Sequence, residues 1–234
     1  MTEKRIGKEY YNTSAYFDDP DYLSLHQRPF HQYRVAKVLE IYRPESKSRV
    51  VDLGCGWGTC SFALAEVAGE VVGVDFSEKS IALCERRLEQ QPMPNLRFVC
   101  ADAGDTGLAA GAWDLVVAAD LLEHLYPDDS IQVVAESFRL LRSGGRFSVW
   151  TPHRGHFLEI LKNNEILLKR PVSHVDYKSM KRMTGIMRDA GFEIERSYYA
   201  ESHLPGLRQI ERSLQGFVPF LRRRVVVLGR KPID

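Results

Sequence analysis

Three features of the 234-residue chain predict an α/β fold, a doubly wound and mostly parallel sheet with helices on both faces. Short apolar runs alternate with helical patterns between about residues 48 and 152. The first run closes in glycines at alternate positions, Gly54, Gly56 and Gly58. Acids stand at or near the ends of successive runs: Asp52, Asp75, Asp102 and Asp120. Repeated strand–helix units need crossover connections, which make the strands parallel and cover both faces of the sheet.

The elements follow in order. Residues 1–23 hold Tyr10, Tyr11, Tyr16, Phe17 and Tyr22, more aromatic content than a disordered arm usually carries, so they read as an arm or a lid. Leu25, Phe30, Tyr33, Val38, Leu39 and Tyr42 recur at helical spacing, giving a short helix and then a longer one that starts near Pro29. On it His31 and Arg34 read as a solvated face. Strand Arg49–Leu53 leads into helix Thr59–Ala68, and strand Glu70–Asp75 into helix Ser77–Gln91 with Ser77 as N-cap. Strands Leu96–Cys100 and Trp113–Ala118 follow. Helix Asp129–Leu141 is expected to stop at a glycine C-cap in Ser143-Gly144-Gly145, before strand Arg146–Trp150.

Beyond Pro152 the regularity weakens. Phe157–Leu161 and Ile166-Leu167-Leu168 with Lys169-Arg170 read as an insertion, followed by helix Tyr177–Ala190 and strand Phe192–Tyr199. Leu207, Ile210, Leu214, Phe217 and Phe220 form an apolar stripe ahead of a last strand, Arg224–Leu228. The expected organisation is one domain: lid and helices over 1–45, core over 46–152, insertion over 153–175, and the rest of the core over 176–234.

Composition narrows the function. The chain has 32 basic and 31 acidic side chains, so its formal charge of +1 gives no reason to expect nucleic acid or an obligatory membrane partner. Cys55, Cys60, Cys84 and Cys100 lack paired spacing and sit in or beside apolar segments, the pattern of buried free thiols in a cytoplasmic protein. The charged N-terminus has no apolar stretch after it, and no run approaches 18 apolar residues, so neither signal peptide nor membrane span is expected.

Ligands of doubly wound sheets lie beyond the carboxyl ends of the strands. There the glycines at 54, 56 and 58 let a ligand approach the backbone, and Asp75, about 20 residues on, suits a ribose diol. Asp52, just before the loop, would repel a pyrophosphate and argues against a dinucleotide oxidoreductase.

These residues resemble the class I S-adenosylmethionine-dependent methyltransferases. The motifs are Asp52-Leu53-Gly54-Cys55-Gly56-Trp57-Gly58, Gly73-Val74-Asp75, Ala101-Asp102, Asp114–Val117, Leu122-Glu123-His124 and Leu141–Gly145, in the family's order. Glu123-His124 and Thr151-Pro152-His153-Arg154 look more particularly like the ubiquinone-biosynthesis O-methyltransferases. The resemblance implies a Rossmann-like seven-stranded sheet in the order 3-2-1-4-5-7-6, its seventh strand antiparallel. It also implies S-adenosyl-L-methionine as cofactor, S-adenosyl-L-homocysteine as product and a small-molecule acceptor, in a monomer or homodimer. The cofactor set it implies is Asp52, Gly54, Cys55, Gly56, Trp57, Gly58, Asp75, Phe76, Asp102, Ala103, Asp120 and Leu121.

A sulfonium methyl is already activated, so the protein must hold it in line with the nucleophile and take a proton if the acceptor is a hydroxyl. His124 after the fourth strand and His153 after the fifth are the candidate bases. Glu123 and His124, being adjacent, make no two-ligand face by themselves, and no metal is assigned. Asp120-Leu121-Leu122-Glu123 departs from the tetrad of DNA amino-methyltransferases, and no cysteine suits RNA cytosine-C5 chemistry. Transfer to oxygen of a small molecule is the leading expectation; an N- or C-methyltransferase of a small molecule or lipid, and a methyltransferase-like module without catalysis, are the remaining alternatives.

Overall fold

The computed structural model describes residues 5–13, 15–166 and 172–233. Helix α1 (Lys8–Thr13) and two 3-10 turns (Ala15–Phe17, Tyr22–Gln27) precede α2 (Pro29–Ile41), which has its proline in the first turn. Then come β1 (Arg49–Leu53), α3 (Thr59–Ala65), β2 (Glu70–Asp75), α4 (Glu78–Gln90), β3 (Leu96–Cys100) and β4 (Trp113–Ala119). The 3-10 turn Leu122–His124 joins β4 to α5 (Pro127–Leu140), β5 (Leu141–Pro152) and α6 (Phe157–Asn163). The chain ends with α7 (Met180–Asp189), β6 (Glu193–Ala200), α8 (Pro205–Leu214), the 3-10 turn Pro219–Leu221 and β7 (Arg224–Arg230).

The sheet runs β3-β2-β1-β4-β5-β7-β6. Its first five strands are parallel neighbours, and β7 inserts antiparallel between β5 and β6. Side chains of successive strand residues point to opposite faces, and the core divides accordingly. Val50, Val71, Leu115, Val117 and Val226 pack with Val38, Ile41, Phe62 and Cys84 from α2, α3 and α4. Val51, Leu53, Val72, Val116, Phe147 and Val227 pack with Val133, Leu140, Met183 and Met187 from α5 and α7. Both faces of β1 and β4 are therefore apolar, which is why those segments read as continuous hydrophobic runs.

Local signals place several boundaries. Ser77 and Ser179 cap α4 and α7, each hydroxyl accepting from the N–H three residues on. Ser143-Gly144-Gly145 does not cap α5, as the sequence suggests; it belongs to β5. The helix ends at Leu141 in extended conformation. Lys231 extends the β7 pairing onto the glycines, Gly144 N–H donating to its carbonyl at 3.0 Å and its own N–H to the Gly145 carbonyl at 2.8 Å. Helix α7 begins at Met180 rather than Tyr177 because Ser179 supplies the cap. Cys100 is exposed, unlike the other three thiols, since it ends the edge strand β3. Leu167, Leu168, Lys169 and Arg170 of the expected insertion lie outside the described residues.

Candidate functional site

The turn between β1 and α3 is built on positive φ at each of its three glycines, +66° at Gly54, +52° at Gly56 and +70° at Gly58. Other residues reach this region only with strain. The glycines face different surroundings. A Cβ at Gly54 would stand 2.7 Å from Leu121 Cδ1 and one at Gly58 3.1 Å from Cys84 Sγ, whereas one at Gly56 would meet nothing within 4 Å. Helix α4 pins the turn, because Ser80 Oγ and Cys84 Sγ both donate to the Gly56 carbonyl, at 2.6 and 3.1 Å. Asp75 pins it from β2: its carboxylate accepts from Gly56 N–H at 3.0 Å and from Ser77 N–H at 2.9 Å.

Next to this turn lies a cavity of about 380 Å³ at the carboxyl ends of the strands. Gly54, Gly56, Asp75, Phe76, Asp102, Ala103, Asp120, Leu121 and His124 line it, nine of the fourteen residues expected from the sequence. Burial pushes the Asp75 carboxyl upward against the two backbone N–H donors. Asp102 also makes a local turn, its Oδ1 accepting from Gly104 N–H at 2.7 Å. A second wall comes from the N-terminal segment through Ile6, Gly7, Lys8, Tyr11 and Phe17. Ile6 N–H donates to Tyr126 Oη at 3.1 Å, and Ser77 Oγ to Asn12 Oδ1 at 2.7 Å, so the segment is tied to both sides of the opening.

The far wall is the turn after β4. Asp120 takes φ +58°, rare for a residue with a side chain, and its carboxylate is ion-paired with Arg224 of β7 and lies 3.6 Å from Arg34 of α2. Burial pushes its carboxyl up, but Arg224 and Arg34 outweigh that and hold it below the usual range. Arg34, expected on a solvated face, is thus largely buried against the site. Glu123 is fully buried and accepts from Thr151 Oγ1 at 2.9 Å; burial and the Asp120 charge push it up to about 8, so it is protonated at neutral pH.

Lys178 holds this turn in place, and nothing in the sequence flags it beyond its place in the helical pattern. Its fully buried ammonium donates to the carbonyls of Leu122, Leu125 and Asp176, the last two at 2.8 and 2.9 Å. Val175 N–H donates to the Glu123 carbonyl at 2.9 Å, which fixes the segment carrying His174 beside His124. The two imidazoles meet edge to face at 4.9 Å, and His174 Nδ1 lies 2.9 Å from Tyr177 Oη, which donates to Glu159. One oxygen or nitrogen each from Glu123, His124 and His174 lies within 4.8 Å of the others, so the three converge although two are sequence neighbours. His124 Nδ1 stands 3.0 Å from the Ser173 carbonyl and 3.0 Å from Tyr11 Oη. A carbonyl only accepts, so in the neutral ring Nδ1 bears the hydrogen and Nε2 the basic lone pair. Burial, then the neighbouring His174, pushes His124 down to about 3.

Five expected residues are not brought to this cavity. Asp52 is buried beneath the turn and accepts from Ser61 Oγ at 2.6 Å, its carboxyl pushed up to about 6 by burial. Cys55 is buried, and Gly58 serves as the N-cap position of α3. Trp57 turns outward, packing on Phe17 and Tyr22 beside a shallow cleft. His153 fails as a neighbour of His124 because β5 continues into antiparallel pairing with β7. Its N–H donates to the Arg223 carbonyl, and its ring lies against Tyr199 with Nδ1 3.1 Å from the Arg222 carbonyl.

Residues 50–145 match a family model described as a methyltransferase domain. A ubiquinone biosynthesis O-methyltransferase of Ralstonia nicotianae is 29% identical over 71% of this chain and 72% of its own length. A probable S-adenosylmethionine-dependent methyltransferase of Mycolicibacterium smegmatis is 32% identical over 62% of this chain, and the match spans about half, 52%, of that relative. Residues 50–145 are thus a methyltransferase domain, and the chain around them is similar to S-adenosylmethionine-dependent methyltransferases. In fold, this methyltransferase superposes on geranyl diphosphate C-methyltransferase of Streptomyces coelicolor with a TM-score of 0.68, over 96% of both chains and at 16% identity. S-adenosylmethionine is its cofactor. Among the described residues, no helix of the methyltransferase is long and apolar enough to cross a membrane.

Proposed function

We propose that this methyltransferase transfers the methyl group to a hydroxyl of a small molecule and that His124 receives the hydroxyl proton. The cavity residues fit the cofactor by their chemistry. Asp75 spends one lone pair of each oxygen on a backbone N–H and keeps others for a ribose diol. The space beside Gly56 leaves room for the aminocarboxypropyl arm, and Phe76, Asp102 and Ala103 offer two flanking surfaces and an acceptor to an adenine ring. Tyr11 and Phe17, on a segment tied to both sides of the opening, serve as its lid.

Bound S-adenosylmethionine supplies a methyl group already activated by its sulfonium. His124 carries the rest of the reading: it lines the cavity, and the Ser173 carbonyl commits its Nδ1 hydrogen and leaves the lone pair on Nε2. A hydroxyl held in line with that methyl would become acidic as its oxygen is alkylated, and His124 Nε2, which burial keeps neutral although weakly basic, would take the proton. Likeness to ubiquinone-biosynthesis O-methyltransferases supports oxygen as the accepting atom.

A second reading rests on the convergence of Glu123, His124 and His174, a set able to hold a divalent cation. Such an ion would lower the pKa of the acceptor hydroxyl, and Glu123 would have to lose its proton to bind it. Single-turnover methylation of a catechol and of an amine acceptor, by wild type and His124→Ala with and without chelator, separates the readings. The base predicts a roughly 10²–10⁴-fold loss in the variant and indifference to chelator. Chelator sensitivity favours the ion, and equal rates in the variant refute both.

A further inference from the structure

Helix α8 buries its one acid and exposes apolar side chains. Glu211 is 0% exposed, accepting from His156 Nε2 at 2.8 Å and from Ser202 N–H, while Arg208 turns inward over Tyr33 with its guanidinium carbon 4.7 Å from the ring centre. The exposed surface of the helix carries Ile210 and Leu214, and the turn after the helix adds Phe217 and Phe220; all four side chains are exposed, Phe217 to 88%. Positions 210 and 214 share one helical face and the turn carries the exposed run on to 217 and 220, so this is a stripe rather than a scatter.

The charges around the stripe are of one sign. From Leu204 to Arg223 the charges left at the surface are Arg212 and Arg222, since Arg208 turns inward, Arg223 is buried against Glu159, and the single acid, Glu211, is buried. The Arg212 side chain is more than half exposed while bonded to the buried Glu201, and Arg222 stacks on Tyr199 and donates to the Gln215 carbonyl at 3.1 Å, both holding positive charge at the rim. A second copy docked face to face would set these arginines against each other. An anionic bilayer surface complements both parts, its headgroups meeting the arginines and its acyl boundary the phenylalanines.

We propose that the face formed by α8 and the Pro219–Leu221 turn docks this methyltransferase on an anionic lipid surface. The stripe is not part of the described cavity, so docking is independent of the chemistry assigned to His124. The test is co-sedimentation of the full chain with vesicles of phosphatidylcholine alone or mixed with phosphatidylglycerol, at low and high salt. Wild type, the double variant Phe217→Ser/Phe220→Ser and the variant Arg222→Gln are compared, with cofactor titration as a check on folding. Expected is partitioning to the phosphatidylglycerol vesicles that high salt weakens, reduced roughly tenfold or more in the double variant and less in Arg222→Gln. No partitioning, equal partitioning to both vesicle types, or a double variant that sediments like wild type would overturn it. So would a dimer in sedimentation equilibrium that the double variant dissociates, which assigns the face to a second copy.

Discussion

Replacing Gly56 by alanine separates backbone strain from ligand exclusion, because the chain contains its own control. Gly56 and Gly107 both take positive φ, +52° and +68°, and at each an added Cβ would meet nothing within 4 Å. Only Gly56 lines the cavity. An alanine forced into the left-handed region costs roughly 1–2 kcal/mol, partly offset by about 0.4–1 kcal/mol from a stiffer unfolded chain. Gly56→Ala and Gly107→Ala should therefore each lose about 1 kcal/mol, a Tm decrease of about 2–4 °C for a chain of this size by calorimetry. Their cofactor affinities should differ. A methyl group placed where the ligand must lie acts as overpacking and costs about 1–3 kcal/mol, or roughly 5- to 150-fold in Kd. Titration with S-adenosylhomocysteine should show that loss for Gly56→Ala and wild-type affinity for Gly107→Ala. Equal affinity in the two variants would refute the placement of the ligand beside Gly56.

Other consequences concern the supports of the site. Asp52 is fully buried with its carboxyl raised to about 6, so the stability it allows is present below its unfolded value and lost as pH rises through 6. Asp52→Asn, which keeps an acceptor for Ser61, should gain on wild type by about 2–3 kcal/mol between pH 4 and 7 in denaturant titrations; a pH-independent difference would contradict the raised carboxyl. Lys178→Met strands buried carbonyls at the Leu122–His124 turn and should cost about 2–4 kcal/mol, with Tm down by roughly 5–15 °C. The same variant should retain cofactor binding in calorimetry while methyl transfer falls, and full activity would mean the turn needs no such clamp.

The strand–helix alternation was legible because each parallel strand is apolar on both faces and each helix on one. The site was legible as far as it lies on consecutive residues: Gly54, Gly56, Asp75, Phe76, Asp102 and His124 stand at strand ends the alternation locates. What lay hidden depends on residues distant in the chain. Arg224 meets Asp120 only because β7 inserts beside β5, and Lys178 reaches the Leu122–His124 turn only because the segment ahead of α7 is bonded to it, Val175 and Asp176 N–H donating to the Glu123 carbonyl. Ser143-Gly144-Gly145 looked like a cap because glycine ends helices, but Lys231 supplies strand partners that local sequence cannot foresee. His153 has the right place in the chain and the wrong one in space, since the antiparallel β7 captures it. Arg34 is drawn inward by the Asp120 carboxylate, a charge invisible to helical periodicity.

The reading that this cavity takes S-adenosylmethionine by its ribose stands or falls on Asp75, whose conservative variant Asp75→Asn keeps an oxygen for the Gly56 or Ser77 N–H. Isothermal titration of S-adenosylmethionine into wild type should give one site per chain. In Asp75→Asn, loss of charge-assisted bonds worth about 1.5–3 kcal/mol should weaken it roughly 10- to 150-fold, with the circular dichroism spectrum unchanged and Tm lowered by the roughly 2–12 °C that one stranded backbone N–H costs. An unchanged dissociation constant in the folded variant would contradict the assignment and place the cofactor's ribose elsewhere.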